Sequence, residues 1–145
     1  MIGTYYRLSL ADEDVGADKA ESNSIQGQRG LVEGYIMARP ELATEPRQEY
    51  VDDGYSGSNF ERPAFQNLFR ELEQGTINCI LVKDLSRFGR NYIEVGRYLE
   101  RIFPVMRVRL IAVTDNYDSQ SAWKTRDSIM VPMRNLLNDA YCRDI

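Results

Sequence analysis

The sequence predicts an α/β domain with a mostly parallel central sheet flanked by helices. Three observations carry that reading. Short apolar runs within Ile2–Ser9, Asn78–Val82 and Val108–Val113 alternate with longer stretches whose apolar residues recur every three or four positions, the periods of strand and helix. Pro40, Pro63, Gly75, Pro104 and Pro132 fall at ends of these stretches, where turns and helix termini belong. The 145 residues suffice for one core, hence one domain, and strand-helix alternation returns successive strands parallel to one another.

Each element has its own justification. Ile2-Gly3-Thr4-Tyr5-Tyr6-Arg7-Leu8-Ser9 reads as the first strand, and Arg7 and Ser9, two residues apart, point to one side of it. Leu10 to Asn23 carries Asp12, Glu13, Asp14, Asp18 and Glu21 among small residues. It reads as a solvated, mobile loop. Ser24 can cap a helix with Ile25, Val32, Tyr35 and Ile36 on one stripe, ending near Arg39-Pro40. Gln28 falls on that stripe, either as a boundary residue or as part of a site. Tyr50 to Asp53 ends a second strand, and a Gly/Ser/Asn loop follows.

Pro63 suits the first turn of a helix with Phe65, Leu68, Phe69 and Leu72 inward, closed by Gly75. After strand Asn78–Val82 and an arginine turn, Tyr92, Val95, Leu99 and Ile102 mark a third amphipathic helix, stopped near Phe103-Pro104. Strand Val108–Val113 comes next. Thr114 to Met130 is polar around Trp123 and too long for a simple connection, which suggests a functional or mobile loop. Pro132 begins a last helix bearing Met133, Leu136, Leu137, Ala140 and Tyr141. The chain stops within about a turn of those residues, so a fragment of a longer protein is expected.

Three polar clusters fall where the ends of the first three strands meet. Leu81-Val82-Lys83-Asp84-Leu85-Ser86-Arg87-Phe88-Gly89-Arg90-Asn91 brings Lys83, Arg87 and Arg90 out of the C-terminal end of a strand, where open α/β sheets bind ligands. Arginine's planar five-donor fork suits phosphate oxygens and stays cationic at any working pH. Arg7 and Ser9 set a hydroxyl beside a guanidinium, a nucleophile beside a phosphate clamp. Asp53, Ser56 and Arg62 come from the loop after the second strand. Taken singly, each cluster also has a plain explanation: surface charges, a serine that ends a strand as a turn residue or cap, an ordinary turn.

Composition excludes several chemistries. The chain has no histidine, which removes the Ser-His-Asp arrangement, histidine metal ligands and imidazole acid/base catalysis. Its two cysteines, Cys79 and Cys142, are distant in sequence and form no spaced framework; that pattern, with no secretory segment or bilayer-spanning run, indicates a reducing cytosol. No metal site is expected.

In this order and spacing, the motifs Tyr6-Arg7-Leu8-Ser9, Glu21-Ser22-Asn23-Ser24-Ile25 with Gln28-Arg29, Asp53-Gly54-Tyr55-Ser56-Gly57 with Arg62-Pro63-Ala64-Phe65, and Ser86-Arg87-Phe88-Gly89-Arg90-Asn91 resemble the catalytic domain of the serine recombinases, the resolvase/invertase family. The likeness covers nearly the whole chain and is greatest to the large enzymes of conjugative transposons and phages. Small resolvases carry an aspartate where this chain has Ser86, so an acid role there does not carry over.

The resemblance implies site-specific DNA recombination. Ser9 would attack the DNA backbone to give a 5′-phosphoserine intermediate, followed by strand exchange and religation without cofactor or added energy. Arg7, Arg87 and Arg90 would hold the non-bridging oxygens, Arg62 and Lys83 would form a second layer, Ser56 would position, and Gln28 would lie near the pocket. The proton acceptor for Ser9 stays open between Asp53, a nearby arginine and water, and Asp53 could equally orient an arginine. The implied partners are DNA and further copies of the chain, dimer to tetramer, in the cytoplasm and not at a membrane. The net charge of −4 is awkward for a DNA enzyme, since duplex affinity comes largely from lysine and arginine on phosphates; the DNA-binding region, which in the family follows a long oligomerisation helix, is expected outside this chain. Two other classes stay open: a different phosphate enzyme on a flavodoxin-like sheet, although no P-loop or Cys-x5-Arg run is present, and a non-catalytic assembly module that pairs through the last helix.

Overall fold

The computed structural model describes residues 1–8, 24–53, 62–89 and 92–122. Its centre is a five-stranded sheet in the order β2-β1-β3-β4-β5, formed by β1 (Ile2–Leu8), β2 (Arg47–Asp53), β3 (Cys79–Val82), β4 (Arg109–Ala112) and β5 (Tyr117–Asp118). The first four run parallel and β5 is antiparallel to β4. The mostly parallel α/β fold read from the sequence is the one observed.

Helix α1 (Ile25–Met37) is capped by the Ser24 hydroxyl, which accepts the Gly27 N–H at 3.0 Å. Its apolar stripe covers one sheet face, where Val32 and Ile36 join Ile2, Tyr6, Leu81 and Ile111. A short helix α2 (Pro40–Ala43) follows. On the other face α3 (Pro63–Glu73) buries Leu68 and Leu72 and ends, as expected, at Gly75, whose φ of +80° is the left-handed turn that glycine takes without strain. At Gly3 the packing of α3 on β1 leaves no room for a side chain: a Cβ there would stand 2.7 Å from Leu68 Cδ1.

Two expectations need correction. The third helix does not stop at Phe103-Pro104: α5 (Tyr92–Arg97) passes through a π-helical turn at Tyr98–Ile102 into α6 (Phe103–Met106). Pro104 cannot donate a main-chain hydrogen bond, and the wider turn just before it, with Phe103 N–H on Tyr98 O, lets the helical path continue. Residues 114–122 are also not an irregular loop. They form a tight turn, with Asn116 at φ +54°, then β5 and a helical turn α7 (Ser119–Ala122). Asp118 pairs with Arg109 at 2.6 Å, and the Ser119 hydroxyl accepts the Leu110 N–H at 2.8 Å. The expected loop at 10–23, Trp123 and the last helix from Pro132 lie outside the described residues. Among those described, no helix is long and apolar enough to cross a membrane.

The sheet has a topological switch point. From β1 the chain crosses to β2 on one side and then to β3 on the other, so the strand order reverses at β1. Such switch points are where open α/β sheets bind ligands. β1 pairs with β2 along its full length, Ile2 to Leu8, but with β3 only from Ile2 to Thr4. Beyond Thr4 something other than β3 has to satisfy the end of β1.

Candidate active site

The end of β1 is satisfied by side chains. Gln28, fully buried on α1, accepts the Arg7 N–H through Oε1 at 3.2 Å and donates from Nε2 to Arg7 O at 2.8 Å. A side-chain amide carries the same donor and acceptor as a peptide, so Gln28 bonds the strand end as a neighbouring strand would. It is therefore a buried partner of the strand end and not a boundary residue of the apolar stripe. Arg87 Nη1 also donates to Arg7 O, at 3.1 Å.

Arg87 is delivered by α4 (Leu85–Phe88), a single turn that follows β3. The sequence Leu-Ser-Arg-Phe puts apolar residues three apart, and Leu85 and Phe88 are buried in the core. Phe88 packs edge-on against Phe65, Tyr98 and Phe103 at 5.4–5.6 Å. With those two anchored, Ser86 and Arg87 are directed away from the core. So short a helix is not stable alone, and its ends carry orphan donors and acceptors.

Its C-terminal carbonyls are taken by arginines. Arg7 donates from Nη2 to Ser86 O at 2.5 Å and from Nε to Arg87 O at 3.2 Å. Arg62 donates from Nη1 to Phe88 O at 2.9 Å. Cations at a helix C-terminus are also favoured by the helix dipole. At the other end Asp84 accepts the Arg87 N–H at 3.2 Å and the Ser86 hydroxyl, and Asp115 accepts the Leu85 N–H at 2.8 Å.

Arg7, Arg62 and Arg87 are 0%, 6% and 5% exposed. Arg62 lies over the Phe65 ring at 4.1 Å and reaches the Tyr5 hydroxyl at 3.5 Å. Tyr5 in turn donates to Asp52 Oδ2 at 2.7 Å. Burial chiefly, opposed by Arg62 and reinforced by the bond to Asp52, pushes the Tyr5 phenol well above its ordinary range, so it remains a donor. Asp52 further accepts the Ala64 and Phe65 N–H groups at 2.9 and 3.0 Å. It therefore caps α3 and holds that helix against β2.

The structure thus brings together Arg7, Gln28, Arg62 and Arg87, with Lys83 half-buried at the end of β3. Ser9, Ser56 and Arg90 lie outside the described residues. Asp53 is placed apart from the guanidiniums: it pairs with Leu8, whereas Asp52 pairs with Arg7, and successive strand residues face opposite ways. Asp53 is exposed on the face opposite Arg7. Sequence reasoning passed over Asp52, Tyr5, Asp84 and Asp115. Asp84 had a signal, an aspartate just before a short apolar-periodic run; Asp52 did not, since only the register separates it from Asp53. Among the described residues no three His, Cys, Asp or Glu side chains group as a metal site.

The arrangement offers clustered, preoriented positive charge at a sheet crevice, suited to an oxyanion such as a phosphodiester. The family model for the resolvase N-terminal domain matches residues 2–145. Solved structures with this fold include the N-terminal catalytic domain of TP901-1 integrase, 23% identical, with a TM-score of 0.68 over 95% of each chain. A resolvase family site-specific recombinase from Streptococcus pneumoniae is 24% identical, with a TM-score of 0.63 over 99% of this chain and 88% of that one. A serine recombinase from Sulfolobus solfataricus is 20% identical, with a TM-score of 0.56 over 77% of this chain and 66% of that one. No curated protein matches.

Proposed function

The chain belongs to the resolvase N-terminal-domain family of serine site-specific recombinases, and on that premise we propose that Ser9 is the nucleophile that cleaves and rejoins DNA at the β1/β3 crevice. The observation that carries this is the interlock of Arg7 and Arg87: it fixes two guanidiniums at the strand end immediately before Ser9.

In the proposed step, Ser9 Oγ attacks a backbone phosphorus in line. A P–Oγ bond forms, the P–O3′ bond breaks, the serine proton goes to an acceptor, and the departing 3′ oxygen takes up a proton. The 5′ phosphate stays esterified to Ser9. Attack by another strand's 3′ hydroxyl reverses every bond change, so the phosphodiester energy is conserved and no cofactor is consumed. Arg7, Arg87 and Arg90 hold the non-bridging oxygens as charge shifts onto them, and fixed positive charge of this kind is typically a large catalytic term. Arg62 and Lys83 form a second layer, Gln28 positions Arg7, and Ser56 positions the substrate. For the serine proton the acceptors proposed are Asp53, a nearby arginine and solvent water.

The partners are DNA and further copies of the chain, assembling as dimer and then tetramer in the cytoplasm. With a net charge of −4, duplex affinity is assigned to a DNA-binding region outside these 145 residues. The test is to denature a stalled cleavage reaction of the complete recombinase and map the peptide joined to the DNA 5′ end. The linkage is expected on Ser9 and absent in Ser9→Ala; a linkage on Ser56, Ser86 or a tyrosine overturns the proposal.

A further inference from the structure

We propose that Asp115 is a positioning residue for DNA cleavage, acting through Arg87 by fixing the entry of α4; the inference rests on the recombinase reading above. The turn between β4 and β5 is sewn to the segment that leads into α4. Val113 N–H donates to Val82 O at 3.0 Å, and Thr114 N–H to Lys83 O at 2.7 Å. The Thr114 hydroxyl donates to the same Lys83 carbonyl at 3.0 Å. Asp115 completes the series by accepting the N–H of Leu85, the first residue of α4, at 2.8 Å.

This places an anchor from the β4–β5 turn at the N-terminus of a four-residue helix whose C-terminus is held by Arg7 and Arg62. Asp84 caps the same helix, but it belongs to the segment that has to be positioned and moves with it. Asp115 belongs to the tight turn that joins β4 to β5, two strands of the sheet. It therefore relates the arginine turn to the fixed frame of β4, and a negative charge at a helix N-terminus is favoured as well. Asp115 touches no reacting atom in this account; its effect is on where the Arg87 guanidinium stands when charge develops on the phosphoryl group. Displacement by about 1 Å of a group that acts in the transition state can cost on the order of 10²-fold in rate.

The experiment measures single-turnover cleavage and site affinity in the complete recombinase for Asp115→Ala and Asp115→Asn, each alone and combined with Arg87→Ala. Asp115→Ala is expected to lower the cleavage rate about tenfold or more with site affinity near wild type and the protein still fully folded at the assay temperature, although its thermal midpoint falls by a few degrees as the Leu85 N–H loses its acceptor. Asp115→Asn keeps an acceptor oxygen and should restore most of the rate. In the Arg87→Ala background the Asp115→Ala loss should largely vanish, because the group it positions is gone. Wild-type cleavage by Asp115→Ala, a loss that tracks the folded fraction, or full additivity with Arg87→Ala overturns the inference. If Arg87→Ala alone cleaves normally, it is the phosphate-clamp reading of Arg87 that fails, a distinguishable result.

Discussion

Arg7 and Arg87 each donate a guanidinium hydrogen bond to the other's main-chain carbonyl, Arg7 Nε to Arg87 O at 3.2 Å and Arg87 Nη1 to Arg7 O at 3.1 Å. Two like charges are thereby held side by side by neutral acceptors, and the end of β1 is locked to the turn after β3. Neither arginine can shift without releasing the other.

That lock makes Arg87 sensitive to shape as well as charge. Arg87→Lys keeps the cation but loses the fork that reaches Arg7 O while presenting further N–H groups. Both Arg87→Lys and Arg87→Ala are expected to bind the recombination site normally and cleave roughly 10²-fold or more slowly, measured by single-turnover cleavage. Recovery of near wild-type rate by lysine would show that charge alone suffices.

Gln28 serves both main-chain groups of Arg7. Gln28→Ala strands a buried N–H and should cost about 1–3 kcal/mol in urea unfolding. Gln28→Glu should be at least as harmful, since a carboxylate cannot donate to Arg7 O and its charge would be buried. An unchanged denaturation midpoint in either variant would contradict this account of the strand end.

The neighbouring aspartates should separate cleanly. Asp52→Ala removes the acceptor of the Tyr5 hydroxyl and of two α3 N–H groups and should destabilise the domain by about 3 kcal/mol. Asp53→Asn, at an exposed position, should leave stability within about 0.5 kcal/mol. If Asp53 accepts the Ser9 proton, its cleavage rate falls steeply and its pH profile flattens; if an arginine or water does, the rate is unchanged.

Gly3→Ala tests the close approach of α3 to β1. The added methyl meets Leu68 Cδ1 at 2.7 Å and two Ile77 methyls at 3.2 Å, and overpacking of this kind should cost about 1–3 kcal/mol. Combining it with Leu68→Ala, which vacates the space, should recover part of the loss in a double-mutant cycle.

Alkaline pH should weaken the fold. Burial chiefly raises the Cys79 thiol from 9.0 to about 12 and the Tyr6 and Tyr117 phenols from 10.0 to about 12. Below about pH 9 these groups are protonated in both folded and unfolded chains, and their contribution is complete. As pH rises from there the unfolded chain gives up protons that the folded chain retains, so stability falls toward pH 12. Urea midpoints should drop between pH 8 and pH 11, and equal midpoints would refute the assignment.

The fold was legible because its cues are local and repeated. Ser24, Pro63 and Gly75 mark helix ends, and the apolar runs around Cys79–Val82 and Val108–Val113 mark strands. Arg7 and Arg87 were legible because they lie beside strand ends, and Arg62 because it stands just before the Pro63 that opens a helix. What could not be read depends on register and on partners far along the chain. Asp52 and Asp53 are indistinguishable until β2 is laid against β1, and Asp115 acquires its place only when β4 stands beside β3. The turn at 113–116 with β5 was obscured for a related reason: two-residue strands leave too little alternation to detect.

The parting of β1 from β3 after Thr4 divides the sheet into two kinds of encoding. Over Ile2 to Thr4 the strands are joined by peptide groups, which every residue but proline supplies in full, so substitution is limited there only by packing. At Arg7 the joint is written in the identities of Gln28 and Arg87. A strand end of that sort is portable: transplanting it into another sheet with this strand order means carrying those two side chains, whereas the first half of β1 asks only for residues that pack as Ile2 and Thr4 do around Gly3.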